Sequence, residues 1–232
     1  MKWNLSLLVS LYLLTILAEC KHYYERRDGE WSEIHVWTDD PPPHNNLIAM
    51  ARYVLHNSVW ASLATISVQP AIEGFPFANV KSIVDGSMAN STGIPYFYMS
   101  PLDFSAKDLA KNSRASLLVS LEETNYCGSH KLDSEDPRCT RLMLSGKMKK
   151  IKKGTDEYNF AKDALFERHP AMADFPPDHD WFVAKMKIAQ IAMIDWFGGA
   201  KYIPVQDYLH YNYTGMEQYR MFSQRIQDQL IS

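Results

Sequence analysis

Few residues in this chain have the types and spacing to do chemistry. Cys127 is followed three residues later by His130, then by Asp133, and Cys139 closes the segment. These are metal-ligating types, but a zinc site wants paired Cys or His ligands at both ends of its loop, and Cys139 has no near partner. His169, Asp174, Asp178, His179 and Asp180 form a second such group. Pro170, Pro176 and Pro177 run through it and make it an irregular connection, where solvated Asp is common. Lys147, Lys149, Lys150, Lys152 and Lys153 form a basic run resembling a nucleic-acid patch. On a strand these lysines fall on both faces, as at an exposed strand end, where lysine discourages edge-to-edge pairing. The G-x-S-x-G, H-E-x-x-H, Walker, C-x-x-C and G-x-G-x-x-G patterns are all missing from the sequence. No catalytic residue and no metal ligand is assigned.

The N-terminus explains the cysteines. Met1-Lys2 precedes an apolar run from Trp3 to Ala18, which gives way to Glu19-Cys20-Lys21-His22. A positive start, a short apolar core and a small-residue exit make a cleaved signal peptide, placed at residues 1–20. A spanning helix needs about 20 apolar residues, and no segment supplies them. Cleavage after Cys20 leaves Cys127 and Cys139, most simply one disulfide in an oxidising compartment. Closing so short a loop contributes about 2–3 kcal/mol in the chain-entropy model. Behind a leader, Asn90-Ser91-Thr92 and Asn212-Tyr213-Thr214 become glycan acceptors, whereas Asn4-Leu5-Ser6 leaves with the leader. The net charge of −3 gives no global basic footprint for nucleic acid.

Residues 21–44 read as a polar arm ending in Pro41-Pro42-Pro43. A helix starts at Asn45 or Asn46, with Leu47, Met50, Ala51, Val54 and Leu55 as its buried stripe. Trp60–Val68 alternates as a strand, with Trp60, Ala64, Ile66 and Val68 on one face. Phe77–Val84 is a second strand, closed by an Asp85-Gly86 turn. Pro95–Met99 is a third, and Ser105 caps a brief helix that carries Leu109 and ends near Asn112. Arg114–Leu121 and Cys139–Ile151 follow, the latter with a bulge at Gly146. A helix spans Thr155–Arg168 with Ala161, Ala164, Leu165 and Phe166 in the core, ended by His169-Pro170. Phe182–Phe197 alternates until Gly198-Gly199, and the tail from Tyr208 is polar, with a further amphipathic helix near Met216–Leu230. Several strands, few helices and no βαβ rhythm predict a closed or partly closed antiparallel barrel.

Six stretches in fixed order carry a resemblance: WASLATIS from Trp60, PYFYMSPLDFSAKDL from Pro95 and NSRASLLVSLEETNYC from Asn112. RLMLSGK from Arg141, RHPAMADFPPDHDWFVAKMKI from Arg168 and DWFGGAKYI from Asp195 complete it. Over Asn45–Tyr211 the chain resembles the CREG family of secreted glycoproteins, itself similar to flavin-binding split barrels of the pyridoxamine-phosphate-oxidase type. The resemblance implies a mostly β fold, a split antiparallel β-barrel with flanking α-helices over 45–211, before a polar tail at 212–232.

It also implies a homodimer with the flavin pocket of its relatives at the interface. An FMN phosphate would be held at Ser105, Lys107 and Arg114, where cationic donors and a helix N-terminus favour it. The cystine-bounded segment Tyr126–Arg138, with Asp133, Glu135 and Asp136, is expected to fill that pocket and repel phosphate. The resulting expectation is a dimer without cofactor or catalysis, extracellular or lysosomal. It would bind a glycan-dependent sorting or cell-surface receptor in control of cell growth and differentiation. The opposing expectation is an FMN-dependent oxidoreductase. A nuclear DNA binder, the third, fits poorly with a leader and an acidic chain.

Overall fold

The computed structural model describes residues 41–212. The leader, nearly all of the arm and the helix expected near Met216–Leu230 lie outside them. Asn46 caps α1 (Leu47–Asn57), its side-chain oxygen accepting from the Ala49 amide at 3.2 Å. Met50, Ala51, Val54 and Leu55 are buried as expected, but so are Arg52, Tyr53 and His56. A helix enclosed on most sides is a core element rather than a cover.

Around it runs one antiparallel sheet of β1 (Trp60–Ile66), β2 (Pro76–Ser82), β3 (Val84–Ser87), β4 (Asn90–Met99), β5 (Arg114–Ser120), β6 (Arg141–Lys150), β7 (Phe182–Ile194) and β8 (Lys201–Ile203). The order is β2-β1-β5-β6-β7-β4-β3, with β8 added to β7. Helix α1 touches β3, β4, β5 and β6, so the sheet curls around it. Leu63, Leu117, Leu144, Ile191 and Ile203 are register partners across β1, β5, β6, β7 and β8. All five are at most 5% exposed. Burying a side chain of this size contributes about 1.5–3 kcal/mol, so this one row already ties five strands together.

The register between β6 and β7 shifts at Ser145/Gly146, where the extra residue is Ala189 on β7. A Cβ on Gly146 would stand 2.3 Å from the Lys187 carbonyl oxygen, so only glycine lets the strands close here. Helix α2 (Phe104–Lys111) packs beside β1, and the short α3 (Tyr126–Ser129) sits in the cystine segment. Helix α4 (Asp156–Arg168), capped by Thr155, covers the outside of β3, β4 and β7. Its Ala161 and Leu165 meet Val84, Tyr96 and Val183 in a second core. Ala164 is buried there as expected, and Phe166 is partly so.

Four local readings need correction. Asp85-Gly86 is not a turn but part of β3, and the turn falls at Met88-Ala89. Asp85 is held in the interior by hydrogen bonds, which outweigh its turn preference. The cap of α2 is Asp103, not Ser105, which lies one residue inside the helix and is buried. The apolar face of β1 carrying Trp60, Ala64 and Ile66 points outward, while Ala61, Leu63 and Thr65 face the core. Both faces of β1 are apolar enough that alternation alone does not choose the inner one. Finally, Tyr208 does not begin a solvated tail. It lies on α5 (Val205–His210), fully buried against α1.

Candidate functional site

The residues matching the flavin-phosphate positions lie on α2 and at the start of β5, each engaged by its own neighbours. Ser105 is fully buried, and its hydroxyl accepts from the Asn79 side-chain amide at 3.3 Å. The N-terminus of α2 already holds an anion: the Asp103 carboxylate accepts from the Ala106 amide at 3.2 Å and pairs with Lys81. Lys107 turns to its own helix, with its ammonium 5.8 Å from the Phe104 ring centre. Arg114 folds back so that its Nε donates to Asn112 at 3.1 Å. As these groups stand, a phosphate at the helix N-terminus would meet a carboxylate, and the Ser105 hydroxyl is sealed from it. Within the single chain each of these groups is turned to a neighbour of its own.

Cys127 and Cys139 are joined in a disulfide, both fully buried. Glu122 brings a carboxylate within 4.8 Å of both sulfurs, but sulfurs bonded to each other are not thiolate ligands. His130 does not join them either. Its Nδ1 lies 2.8 Å from the Tyr126 carbonyl oxygen and its ring stacks on Tyr126 at 4.0 Å. Within the loop, Asp136 is bound by Arg138 at 2.7 Å, which holds its carboxyl down to about 2. The negative charge left to this loop is therefore carried by the exposed Asp133 and Glu135.

The loop leaves β5 from the Ser120 end, whereas Arg114 begins that strand. Six residue steps separate them, about 20 Å of strand. Within one chain the loop and Arg114 therefore start from opposite ends of β5. At the loop's root, the Ser120 amide donates to Glu123 at 3.2 Å. Burial pushes the Glu123 carboxyl up to about 8, against the hydrogen bonds from Ser120 and Ser58.

One polar cluster had no motif to announce it. Asp85 is fully buried and accepts from His56 (2.6 Å), from the Ser91 hydroxyl and from the Gly93 amide (3.3 Å). Burial alone would raise its pKa, but His56, Ser91 and the nearby Arg168 together hold it below the usual carboxylate value. Arg52 donates to the Ser91 carbonyl at 2.6 Å and to the Tyr208 and Tyr211 carbonyls at 3.0 Å. Ser91 and His56 both bind Asp85, which is fully buried while Ser91 is partly so. The cluster joins α1, β3, β4 and α5. The only sequence signal for it was a histidine and an arginine among the apolar residues of α1.

The same cluster shapes the first sequon. Ser91 and Thr92 turn their hydroxyls inward, Thr92 donating to the Asp85 carbonyl at 2.7 Å, while Asn90 remains exposed beside the turn. Asn212 is exposed at the limit of the described residues. In the segment 169–180, His169 lies 3.1 Å from the Ile83 carbonyl and His179 stays 3.9 Å from Asp178. Among the described residues these groups do not gather into a metal-holding set.

Outside the barrel, one row of the sheet is largely apolar. Val80, Ser62, Leu118, Met143, Ala192 and Tyr202 are successive register partners across β2, β1, β5, β6, β7 and β8. Val80 is 60%, Leu118 39% and Tyr202 69% exposed, with Trp60 on the same face at 39%. An antiparallel sheet facing water alternates to polar residues on its outer side, and this row does not.

A curled antiparallel sheet with a helix in its hollow and a second helix outside defines a split β-barrel protein. Its fold is shared with the structure titled "Structure of heme binding protein from Mycobacterium smegmatis". The match has a TM-score of 0.55 at 18% identity, covering 74% of this chain and 62% of that one. The family model described as "CREG, beta-barrel" matches residues 42–210. Protein CREG1 of Homo sapiens is 39% identical over 209 residues, covering 90% of this chain and 93% of that protein. Protein CREG1 of Gallus gallus is 43% identical over 169 residues, covering 72% and 87% respectively. The chain belongs to the CREG family.

Proposed function

We propose that this protein is a non-catalytic CREG-family glycoprotein of the secretory pathway, extracellular or lysosomal, that works as a homodimer. It acts by binding a glycan-dependent sorting or cell-surface receptor in control of cell growth and differentiation, without a cofactor. The observation that carries the non-catalytic reading is the Asp103 carboxylate at the N-terminus of α2, paired with Lys81. Like charge at that point opposes a flavin phosphate, and the sealed Ser105 hydroxyl removes a donor.

The dimer reading is supported by the outward apolar row through Leu118 and Met143, which a second copy would take out of water. A two-fold contact over this face would also bring the cystine loop of one copy toward the Arg114 end of the other, filling the pocket between them. The exposed Asn90 supports glycan attachment, because its side chain is accessible while its sequon partners are fixed by the fold.

The test is to express the full chain in secreting cells, purify it, and record its absorption spectrum, native mass and mobility before and after glycan removal. The expected result is a colourless protein of twice the chain mass in the medium, shifted by deglycosylation. Stoichiometric flavin absorbance, lost in Lys107→Ala/Arg114→Ala, would establish the oxidoreductase reading instead.

A further inference from the structure

The basic run of β6 is not explained by its position in the sheet. Edge protection does not cover it, because β6 lies between β5 and β7 and only its last residues extend past β5. On the outward face Lys147 is the register partner of Arg114 on one side and of Lys187 on the other. All three are exposed. Directly opposed like charges destabilise a sheet. Lys185, next along β7, is relieved by Glu157 on α4, but among the described residues no ion pair holds Arg114, Lys147 or Lys187.

Unmatched charge of the opposite sign lies at the other end of the same two strands. Leu118 and Met143 are register partners in the apolar row; Arg114 precedes Leu118 by four residues and Lys147 follows Met143 by four. Four residues the other way stand Glu122 and Cys139, at the two roots of the cystine segment. Glu122, Asp133 and Glu135 are exposed there, and no ion pair holds them among the described residues, whereas Asp136 is taken by Arg138. The other cations of this end are Lys131 and Arg141, so three carboxylates face two cations and negative charge remains in excess. The apolar row thus lies midway between a basic end and an acidic end.

A sheet face packs on its own copy about a two-fold axis lying in the plane between the sheets, and the charges choose the direction of that axis. An axis parallel to the strands sets each level of the sheet against the same level of the other copy, cation row on cation row and acidic loop on acidic loop. An axis along the apolar row, across the strands, inverts the levels. It keeps Leu118 near its own copy and lays the loop over the opposite ends of β5 and β6, where Arg114 and Lys147 stand. We propose that the two copies are related by this second axis, with Glu122, Asp133 and Glu135 of each pairing with the partner's Arg114, Lys147 and Lys187. The proposal rests on the homodimer reading and adds to it the arrangement and the contacts that select it. Like charges brought together across an interface oppose the first arrangement, and opposite charges fix the register of the second. Pairs enclosed between sheets about 10 Å apart are also screened less by salt than exposed ones.

The experiment measures the dimer dissociation constant of the full secreted chain by sedimentation at about 0.15 M salt. Two charge reversals are made at exposed positions, Asp133→Lys/Glu135→Lys in the loop and Lys147→Glu/Lys187→Glu in the row. Each alone sets like charge against like at both symmetry-related contacts and should weaken the homodimer at least about tenfold. Mixed one to one, the two variants restore opposite charge at both contacts, so a heterodimer should form within about threefold of the native Kd. That recovery also shows that both variants are folded. A homodimer of native strength in either variant, or no recovery in the mixture, overturns the proposal and leaves a dimer of another geometry. A native chain that stays monomeric overturns the homodimer reading itself, and the proposal with it.

Discussion

Asp85 has the most to lose from a single change. Its carboxylate answers His56, Ser91 and the Gly93 amide in a region from which water is excluded, and Arg168, itself largely buried, depends on its charge. Removing one partner of a buried charge cluster costs about 3–5 kcal/mol. Asp85→Asn should therefore lower unfolding free energy by about 3 kcal/mol, read from the urea midpoint, while conservative exposed changes such as Glu135→Gln leave it unmoved. Glu123 tests the opposite case. Its folded carboxyl is raised to about 8 from an ordinary value near 4.5, so folding favours the protonated form. That stability is complete below about 4.5 and is lost as pH rises through about 8. His169 runs against it, because burial lowers its pKa and its contribution fades as pH falls. Denaturation between neutral and mildly alkaline pH isolates the carboxyl: the wild-type midpoint should fall, and Glu123→Gln should flatten that fall. Equal slopes for the two proteins would rule out a titrating Glu123.

At the scale of elements, β6 and β7 meet at a point that tolerates no side chain. Gly146→Val sets branched carbons against the Lys187 backbone, and overpacking of this kind costs about 1–3 kcal/mol or more. The expected readout is a lower thermal midpoint with faster amide exchange along β6 and β7, and little change in α4, which packs on a separate core. The cystine loop is a different sort of element, since it adds stability mostly by restricting the unfolded chain. Cys127→Ser/Cys139→Ser should cost about 2–3 kcal/mol, measured against the same protein under oxidising conditions. Reading these elements from sequence worked where one residue type has one job. Of the two cap candidates Asn45 and Asn46, Asn46 is the cap because its side chain reaches a backbone amide, and Gly146 marks the register shift because nothing larger fits. It failed at Asp85-Gly86, where a turn dipeptide was pulled into a strand by partners on α1 and β4. It failed again at Ser105, where Asp103 supplied a better cap two residues earlier.

For the molecule as a whole, the proposed dimer rests on the outward face of the sheet. Leu118 lies in the middle of the apolar row, between Ser62 and Met143. Leu118→Lys should leave the monomer folded, because the side chain already points outward, and should shift native mass from dimer to monomer in sedimentation. A stable dimer in that variant would move the interface elsewhere. The amino-acid sequence by itself determined the barrel class, the family, most strand and helix positions and the pairing of Cys127 with Cys139. Each of these follows from short-range preference, from alternation, from the order of motifs along the chain or, for the cysteines, from their number. Only the tertiary structure decided which face of β1 meets the core, that Asp103 caps the start of α2, and that the cystine loop and Arg114 lie at opposite ends of β5. It alone placed Arg114, Lys147 and Lys187 in one row and enclosed Asp85 with His56 and Ser91. The reason is physical: a residue's partners across strands are set by register and by the curl of the whole sheet, and neither is encoded within the span of any single element.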